Sequence, residues 1–216
     1  MIKAIIFDIG GVLVDLDKEK CVKSFKEDCG LESIADFLDT CHQGGPIREL
    51  EEGSIDEAGF YRKMRALSRP GTTDRDIEES FCSLLAGVPE AKAGLLRRLK
   101  ESYDLYLLSN NNGITMRRTA ELMALAGIPL ETTFKGVYVS SEMKLFKPGR
   151  EIFDEAVRRS GHRKEETLFI DDSPVNVRGA RDAGLHAAHY TLGTSLEDTL
   201  ERALAQISEF SLDLHK

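Results

Sequence analysis

AIIFDIGGVLVD, residues 4–15, is the stretch of the chain that decides its fold class. Apolar residues run from Ala4 to Ile9 with only Asp8 among them, a pattern typical of a strand that is covered on both faces. Asp8 stands near the end of this run, and the Gly10-Gly11 pair behind it supplies the backbone freedom that a turn requires. The stretch therefore predicts a buried strand that ends in a carboxylate.

The rest of the chain repeats this combination of a short apolar run and a helix-like segment. Two further strong strand candidates, 105–108 and 167–170, each follow an amphipathic segment of helical length, and weaker candidates lie at 134–139 and 186–190. Strands that alternate with such helices predict a parallel sheet wrapped by helices. We therefore expect an α/β fold with a Rossmann-like, doubly wound parallel sheet.

Residues 16–87 break the alternation, because they show helix signals and almost no strand signals. Apolar residues recur there at helical spacing, and Ser54 and Thr73 begin patterns typical of helix N-termini. Four short amphipathic helices of this kind predict a small bundle. We expect residues 1–15 and 88–216 to form the α/β core and residues 16–87 to form a four-helix cap inserted into it.

Polar side chains follow the predicted strands. They are Asp8 after the first strand, Ser109 and Asn110 after the second, and Asp171 and Asp172 after the third. Ligands of open parallel sheets bind at the carboxyl ends of the strands, so these side chains are expected at one edge. Lys147 lies in a loop before a helix candidate that opens with Pro148, a favoured first-turn residue. Three carboxylates, a hydroxyl and an ammonium group together predict a functional site.

Four segments resemble the motifs of the haloacid dehalogenase-like (HAD) hydrolase superfamily, in the order in which that family has them. They are IIFDIGGVLVD at 5–15, LLSN at 107–110, KP at 147–148 and FIDDSPVN at 169–176. The insert at 16–87 also matches the position of the family's helical cap. The resemblance covers nearly the whole chain, and it implies a phosphatase of small phosphorylated metabolites, with sugar phosphates as the expected class.

The resemblance also implies a role for each motif residue. Asp8 would attack phosphorus and form an aspartyl-phosphate that water then cleaves. Ser109 and Asn110 would bind the phosphoryl oxygens, and Lys147 would neutralise charge beside Asp8. Magnesium would be the cofactor, because it binds through carboxylates together with a substrate phosphate. Its implied ligands are the Asp8 carboxylate, the Gly10 carbonyl and Asp171, with Asp172 acting through water or holding the site together.

One position departs from the family pattern. Most phosphatases of the superfamily carry a second Asp two residues after the nucleophile as general acid and base, whereas this chain has Gly10. General acid–base catalysis contributes about 10²- to 10⁴-fold, so its loss favours a substrate whose leaving group needs little protonation. The first motif is similar to that of a subgroup that includes bacterial α-glucose-1-phosphate phosphatases, which also carry an Asn at the position of Asn112.

Side chains in and beside the cap offer further candidates. Asp15 and Asp17 lie where the chain enters the cap and could supply the missing acid or contact substrate hydroxyls, although a solvated hinge explains them better. His42 and Arg48 lie on either side of a Gly-Gly-Pro stretch at 44–46, which indicates a cap loop. Both are candidate substrate contacts.

The composition excludes several classes of partner. The formal net charge of −8 over 216 residues argues against nucleic acid, which needs a basic face. No apolar run approaches the roughly 20 residues that span a bilayer, and the N-terminal run is too short for a signal peptide. The four cysteines show no metal or CxxC spacing. We expect a cytoplasmic protein, a monomer or a homodimer, without a membrane partner.

Two other functions stay open on the sequence. A 2-haloacid dehalogenase would use Asp8 to attack carbon, but it needs no metal and leaves Asp171 and Asp172 unexplained. A catalytically weak binding or regulatory protein with the same fold is favoured only by Gly10. Hydrolysis of an aryl phosphate with and without magnesium distinguishes the three functions.

Overall fold

The computed structural model describes residues 1–38 and 45–213, and its centre is a five-stranded parallel sheet. The strands are β1 (Ala4–Phe7), β4 (Asp104–Ser109), β5 (Gly136–Val139), β6 (Thr167–Asp171) and β7 (His186–His189). Their order is β5-β4-β1-β6-β7, so the chain builds outward from β1 on one side and then crosses to the other. The strand order therefore reverses at β1, where open sheets of this kind bind ligands.

The register of the sheet brings three strand ends together. Phe7 at the end of β1 pairs with Leu107 on β4 and with Ile170 on β6. Asp8 is the next residue after β1, while Ser109 and Asp171 end the strands on either side. The three polar side chains expected at one edge are therefore neighbours in the sheet.

Helices cover both faces of the sheet, which confirms the doubly wound α/β fold. They are α6 (Glu90–Leu99), α7 (Gly113–Leu125) and α12 (Leu196–Asp213) on one face, and α10 (Arg150–Ser160) and α11 (Pro174–Asp182) on the other. Because successive strand side chains point to opposite faces, Ile5 and Phe7 pack with the first group and Ile6 with the second. Three short helical turns complete the core: α8 (Leu130–Thr133), α9 (Ser140–Met143) and a 3₁₀ turn at Lys164–Glu166.

The insert contains five helices among its described residues, one more than the sequence predicts. They are α1 (Lys18–Cys29), α2 (Ile34–Leu38), α3 (Pro46–Glu51), α4 (Glu57–Leu67) and α5 (Asp74–Cys82). The additional helix is α3, which replaces part of the predicted cap loop. Pro46 opens it, because the fixed φ of proline suits the first turn and its missing N–H is not needed there. The cap has its own apolar core, in which the Phe60 and Phe81 rings lie 5.5 Å apart.

The helix starts predicted in the cap are partly correct. Thr73 begins α5 as predicted, with a capping box closed by Asp76. The sequence predicts the start of α4 at Ser54, but Asp56 is the capping residue, since its carboxylate accepts a hydrogen bond from the Gly59 amide at 2.7 Å. The error is small because both residue types cap helices well.

Two short strands join the cap to the core. β2 (Asp15–Leu16) pairs antiparallel with β3 (Leu85–Gly87). The sequence did not predict them, because strands of this length are too short to show an alternating pattern. In the described part of the chain, no helix is both long enough and apolar enough to cross a bilayer.

Candidate active site

Lys147 is buried between two carboxylates at the edge where β1, β4 and β6 end. Its ammonium nitrogen lies 2.9 Å from Asp8 Oδ1 and 2.6 Å from Asp171 Oδ2, and it donates a hydrogen bond to the Leu108 carbonyl at 3.1 Å. Lys147 is 2% exposed and Asp171 is fully buried. The structure therefore brings the first, third and fourth motifs of the sequence into one buried charge cluster.

The charges in this cluster shift one another's protonation. Burial raises the pKa of Asp8 to about 6, and the neighbouring Asp171 adds to this, while Lys147 opposes it. Burial works against the charged form of Lys147, but Asp8 and Asp171 raise the pKa of its ammonium group above the ordinary value. Above about pH 6, Asp8 is therefore an anion that faces a permanent cation, as a carboxylate nucleophile requires.

Asp171 is held by more hydrogen bonds than the sequence implied. Its Oδ1 accepts from the Ser173 amide at 2.8 Å and from Asn176 Nδ2 at 3.1 Å, while Oδ2 binds Lys147. Asn176 belongs to the fourth motif, and the sequence alone assigns it no role. Both carboxylate oxygens of Asp171 therefore have donors. One of these donors is the Lys147 ammonium group, which Asp171 holds in position.

Asp172 lacks the side-chain donors that hold Asp171, and it lies against the glycine turn of the first motif. Its carboxylate accepts a hydrogen bond from its own backbone amide, while burial raises its pKa and the negative charge of Asp171 adds to this. A Cβ on Gly11, whose φ is +81°, would lie 2.4 Å from Asp172 Oδ2. Only glycine therefore leaves room for this carboxylate beside the turn.

The carboxylates fit a magnesium ion. Asp8, Asp171 and Asp172 each place an oxygen within 4.8 Å of the others. Asp8 Oδ1 is buried without an aligned hydrogen-bond donor in the described part of the chain, since its contact with Lys147 is electrostatic. Clustered carboxylate oxygens are the ligands that Mg²⁺ prefers, and the Asp8 oxygen without an aligned donor is free to bind it.

The second motif contributes the free hydroxyl group of Ser109 and the side chain of Asn110, which binds the Lys147 backbone. Ser109 is buried at the end of β4, and no described residue hydrogen-bonds its hydroxyl group. Asn110 donates from Nδ2 to the Lys147 carbonyl at 3.0 Å and accepts the Lys147 amide at 2.9 Å. The contacts shown for Asn110 thus hold the loop that carries Lys147, whereas the phosphoryl contact expected of its side chain stays a prediction.

Asn112 caps the helix that follows the second motif. Its side chain is fully buried, and Oδ1 accepts hydrogen bonds from the Ile114 and Thr115 amides, which caps α7. An N-cap residue must satisfy the free amides of the first turn, so this oxygen is not available to a ligand. Asn112 Nδ2 is buried without a hydrogen-bond partner among the described residues, and the substrate contact expected of Asn112 stays a prediction.

Arg48 lies on α3 and not in a loop. Its guanidinium group stacks on the Phe146 ring at 3.6 Å from the centroid, and Nε donates to Glu52 at 2.5 Å. These contacts pack the cap against the segment that precedes Lys147, and a substrate contact stays a prediction. The other cap candidate, His42, lies outside the described residues.

Asp15 and Asp17 are both occupied where the chain enters the cap. Asp15 forms an ion pair with Lys92 at 2.7 Å, and Asp17 caps α1 by accepting the Lys20 amide at 2.8 Å. Lys92, which the sequence did not single out, is buried and also donates to the Gly11 carbonyl at 3.4 Å. Both carboxylates therefore have partners at the hinge. Their contacts give no support for either as a replacement for the acid that is absent at Gly10.

Known proteins resemble this chain over most of its length. A family model described as haloacid dehalogenase-like hydrolase matches residues 2–184. The chain is 34% identical over 185 residues to D-ribitol-5-phosphate phosphatase of Bacteroides thetaiotaomicron, which covers 85% of this chain and 89% of that protein.

Solved structures show the same architecture. A mutant HAD family enzyme of Bacteroides thetaiotaomicron, in complex with magnesium and inorganic phosphate, superimposes with a TM-score of 0.86 at 32% identity, covering 91% of this chain and 97% of that one. A predicted HAD-like family hydrolase of Porphyromonas gingivalis gives 0.83 at 31% identity, covering 94% and 98%.

Proposed function

Since the chain belongs to the haloacid dehalogenase-like hydrolase family, we propose that it cleaves phosphate monoesters of small polyhydroxy compounds through Asp8. The protein is a phosphatase that acts on small phosphorylated metabolites, and magnesium is its cofactor. The single observation that carries the mechanism is the buried cluster of Asp8, Lys147 and Asp171 at the reversal point of the sheet.

Asp8 is the proposed nucleophile. One of its carboxylate oxygens attacks phosphorus, and the resulting aspartyl-phosphate is hydrolysed by water. The Lys147 ammonium beside it offsets the repulsion between a carboxylate and a phosphate dianion, because electrostatic attraction is strong in a buried site. The free hydroxyl of Ser109 is placed to donate to a phosphoryl oxygen. Phosphoryl transfer needs little more than such positioning and charge neutralisation.

Asp8, the Gly10 carbonyl and Asp172 are the proposed magnesium ligands. The choice of Asp172 over Asp171 rests on the hydrogen bonds that already occupy both oxygens of Asp171. When bound there, magnesium would supply positive charge that offsets the charge of the phosphoryl oxygens. Asp171 then acts by fixing the Lys147 ammonium group.

The cap, residues 16–87, is proposed to cover the substrate's leaving group and to select it. Its helix α3 contacts the core at α9, close to the buried cluster. The relative from Bacteroides thetaiotaomicron is a phosphatase of a polyol phosphate, so pentitol and sugar phosphates are the proposed substrates. The anomeric phosphate expected from the first motif stays a prediction, as do the cytoplasmic location and the monomeric or homodimeric state.

Release of inorganic phosphate tests this function. We expect the purified chain to hydrolyse p-nitrophenyl phosphate with Mg²⁺ and to stop when the metal is chelated. Asp8→Asn is expected to be inactive, while Asp182→Asn, at an exposed position on α11, is expected to be unchanged. A panel of ribitol, glucose and serine phosphates then ranks the substrate classes. Activity that survives both chelation and Asp8→Asn would refute the mechanism.

A further inference from the structure

Glu51 is the last residue of α3, and its backbone is tied to the active-site loops of the core. The buried Ser140 hydroxyl donates to the Glu51 carbonyl at 2.5 Å and accepts the Asn111 amide at 3.0 Å. Asn111 directly follows Asn110, which clamps Lys147. The end of α3 is therefore held at a fixed place relative to the cluster.

The chain immediately after Glu51 confirms how closely the cap approaches the core. Gly53 has a φ of +69°, and a Cβ there would lie 2.4 Å from the Ser141 carbonyl oxygen. No other residue type fits without moving one of the two backbones. The contact is therefore built for close approach of α3 to the strand end, and it leaves Glu51 at the boundary between cap and site.

The Glu51 side chain is half-buried at this boundary, within electrostatic range of the buried cluster. The charged groups that act on it are Arg48 and Glu52 from its own segment and Asp8 and Lys147 from the core. Arg48 is held by Glu52 and Phe146, and Lys147 is held by Asp8 and Asp171. Among the described residues, no donor binds the Glu51 carboxyl group, and no hydrogen bond or ion pair joins it to Asp8.

A carboxyl group in this environment keeps its proton at neutral pH. Burial raises the pKa of Glu51 to about 8, and the negative charges of Asp8 and Glu52 add to this, while Arg48 and Lys147 oppose it. A group with a pKa near the working pH is well suited to give up a proton and take it back. An exposed glutamate would have lost this proton at neutral pH, because its ordinary pKa is about 4.3.

The reaction places the leaving group on the side of the cap. In phosphoryl transfer the attacking and leaving oxygens lie roughly in line on opposite sides of phosphorus, so a leaving group points away from Asp8. Among the described candidates for this acid, Gly10 lacks a side chain, and Asp15 and Asp17 are bound at the hinge. We propose that Glu51 of the cap is the general acid and base of this phosphatase, an inference that rests on the function proposed above.

The proposed proton transfers balance across both steps. In the first, the bond from Asp8 to phosphorus forms, the bond from phosphorus to the leaving oxygen breaks, and the Glu51 proton moves to that oxygen to release an alcohol. In the second, water attacks phosphorus and the bond to Asp8 breaks. The water's proton passes to the Glu51 carboxylate, so that inorganic phosphate leaves and the acid is restored.

Leaving-group dependence separates this role from a structural one. Wild type, Glu51→Gln and the control Glu49→Gln, whose residue lies on the same helix and pairs with Lys63, are assayed on ribitol 5-phosphate and p-nitrophenyl phosphate. An alkoxide needs a proton and a nitrophenolate does not. We expect Glu51→Gln to lower kcat/KM for the alkyl ester about 10²- to 10⁴-fold, with less than a tenfold loss on the aryl ester. The control is expected to change neither.

Two pH measurements complete the test. With ribitol 5-phosphate, wild-type kcat/KM is expected to fall as pH rises through about 8, and Glu51→Gln is expected to lose this limb. Because the folded pKa is raised, wild type loses stability as Glu51 ionises between about pH 4.5 and 8, whereas the Gln variant does not. The Tm gain of Glu51→Gln should therefore grow with pH. The melting curve also shows whether Glu51→Gln folds. If it does not fold, Glu51→Ala is assayed in its place.

The outcomes are distinct. Equal losses on the alkyl and aryl esters, or an alkaline limb that persists in Glu51→Gln, would overturn the role of Glu51 while leaving the phosphatase mechanism in place. A wild-type protein that releases no phosphate from the aryl ester would refute the proposed function, and this inference with it. A selective loss on the alkyl ester together with a lost alkaline limb supports both.

Discussion

Replacing Lys147 with methionine should destabilise the fold strongly and in a pH-dependent way. The substitution keeps most of the side chain's volume but removes the ammonium group that lies 2.9 Å from Asp8 and 2.6 Å from Asp171. Breaking a buried ion pair by removing one partner costs about 3–5 kcal/mol, because the remaining charge stays buried without compensation. Here two carboxylates lose their cation, so we expect a loss at the upper end of that range at pH 7.5.

The pH dependence follows from the sign of the shift at Asp8. Burial already raises its pKa to about 6 against the opposing effect of Lys147, and removing Lys147 raises it further. A carboxyl group with a raised folded pKa destabilises the fold when ionised, and this penalty disappears as pH falls below the folded pKa. The stability difference between wild type and Lys147→Met should therefore shrink between pH 7.5 and 5.5.

Urea unfolding in the presence of EDTA measures these free energies. The control is Lys135→Met, the same substitution at an exposed position, which we expect to change stability by less than about 0.5 kcal/mol. Adding Asp8→Asn to Lys147→Met removes one orphaned charge and should recover about 0.5–3 kcal/mol. A loss below about 1 kcal/mol at pH 7.5, or one that is the same at pH 5.5, would refute the claim that Lys147 compensates buried charge.

The remaining predictions concern the nucleophile, the metal and the clamp. Asp8→Asn should leave less than about a thousandth of the phosphatase turnover with the fold intact, measured by phosphate release and a melting curve. Asp172→Asn should raise the Mg²⁺ concentration needed for half-maximal activity at least about tenfold, because lost affinity is recovered by mass action; an unchanged requirement would return the ligand role to Asp171. Gly11→Ala should cost about 1–3 kcal/mol from its positive φ and also weaken Mg²⁺ binding, since its Cβ meets Asp172. Gly71→Ala, with a φ of +93° and open space around it, should show the backbone cost alone. Asn110→Ala should lower stability by about 1–3 kcal/mol and kcat more than KM, because it frees the Lys147 backbone; a change in KM alone would indicate a direct substrate contact.

Local patterns were sufficient for the sheet and for much of the site. A strand covered on both faces must be apolar along its length, so β1, β4 and β6 are visible as unbroken runs, and the polar residue that ends each run marks the ligand edge. The positions of Asp8, Ser109 and Asp171 at that edge follow from this rule alone. The fold class and the family are confirmed on the same residues.

The contacts that decide individual roles could not be found in this way. Asn110 and Asn112 are two residues apart and of the same type, yet one clamps the Lys147 backbone and the other caps α7. Asp171 and Asp172 are adjacent, and only their surroundings distinguish a carboxylate that holds Lys147 from one that lies against the turn at Gly11. The residue type limits which hydrogen bonds a side chain can form, and the neighbouring residues in the folded protein determine which of them it does form.

Glu51 shows the limit most clearly. It lies in a run of similar residues, Arg48 to Glu52, in which nothing in the sequence distinguishes one glutamate from the next. Its position is set by a hydrogen bond from Ser140, which is 89 residues away along the chain. Sequence patterns report periodicity over a few turns of helix or strand, but burial, desolvation and the electrostatic field at a carboxyl group are sums over everything packed around it. Those sums exist only once the cap has folded onto the core.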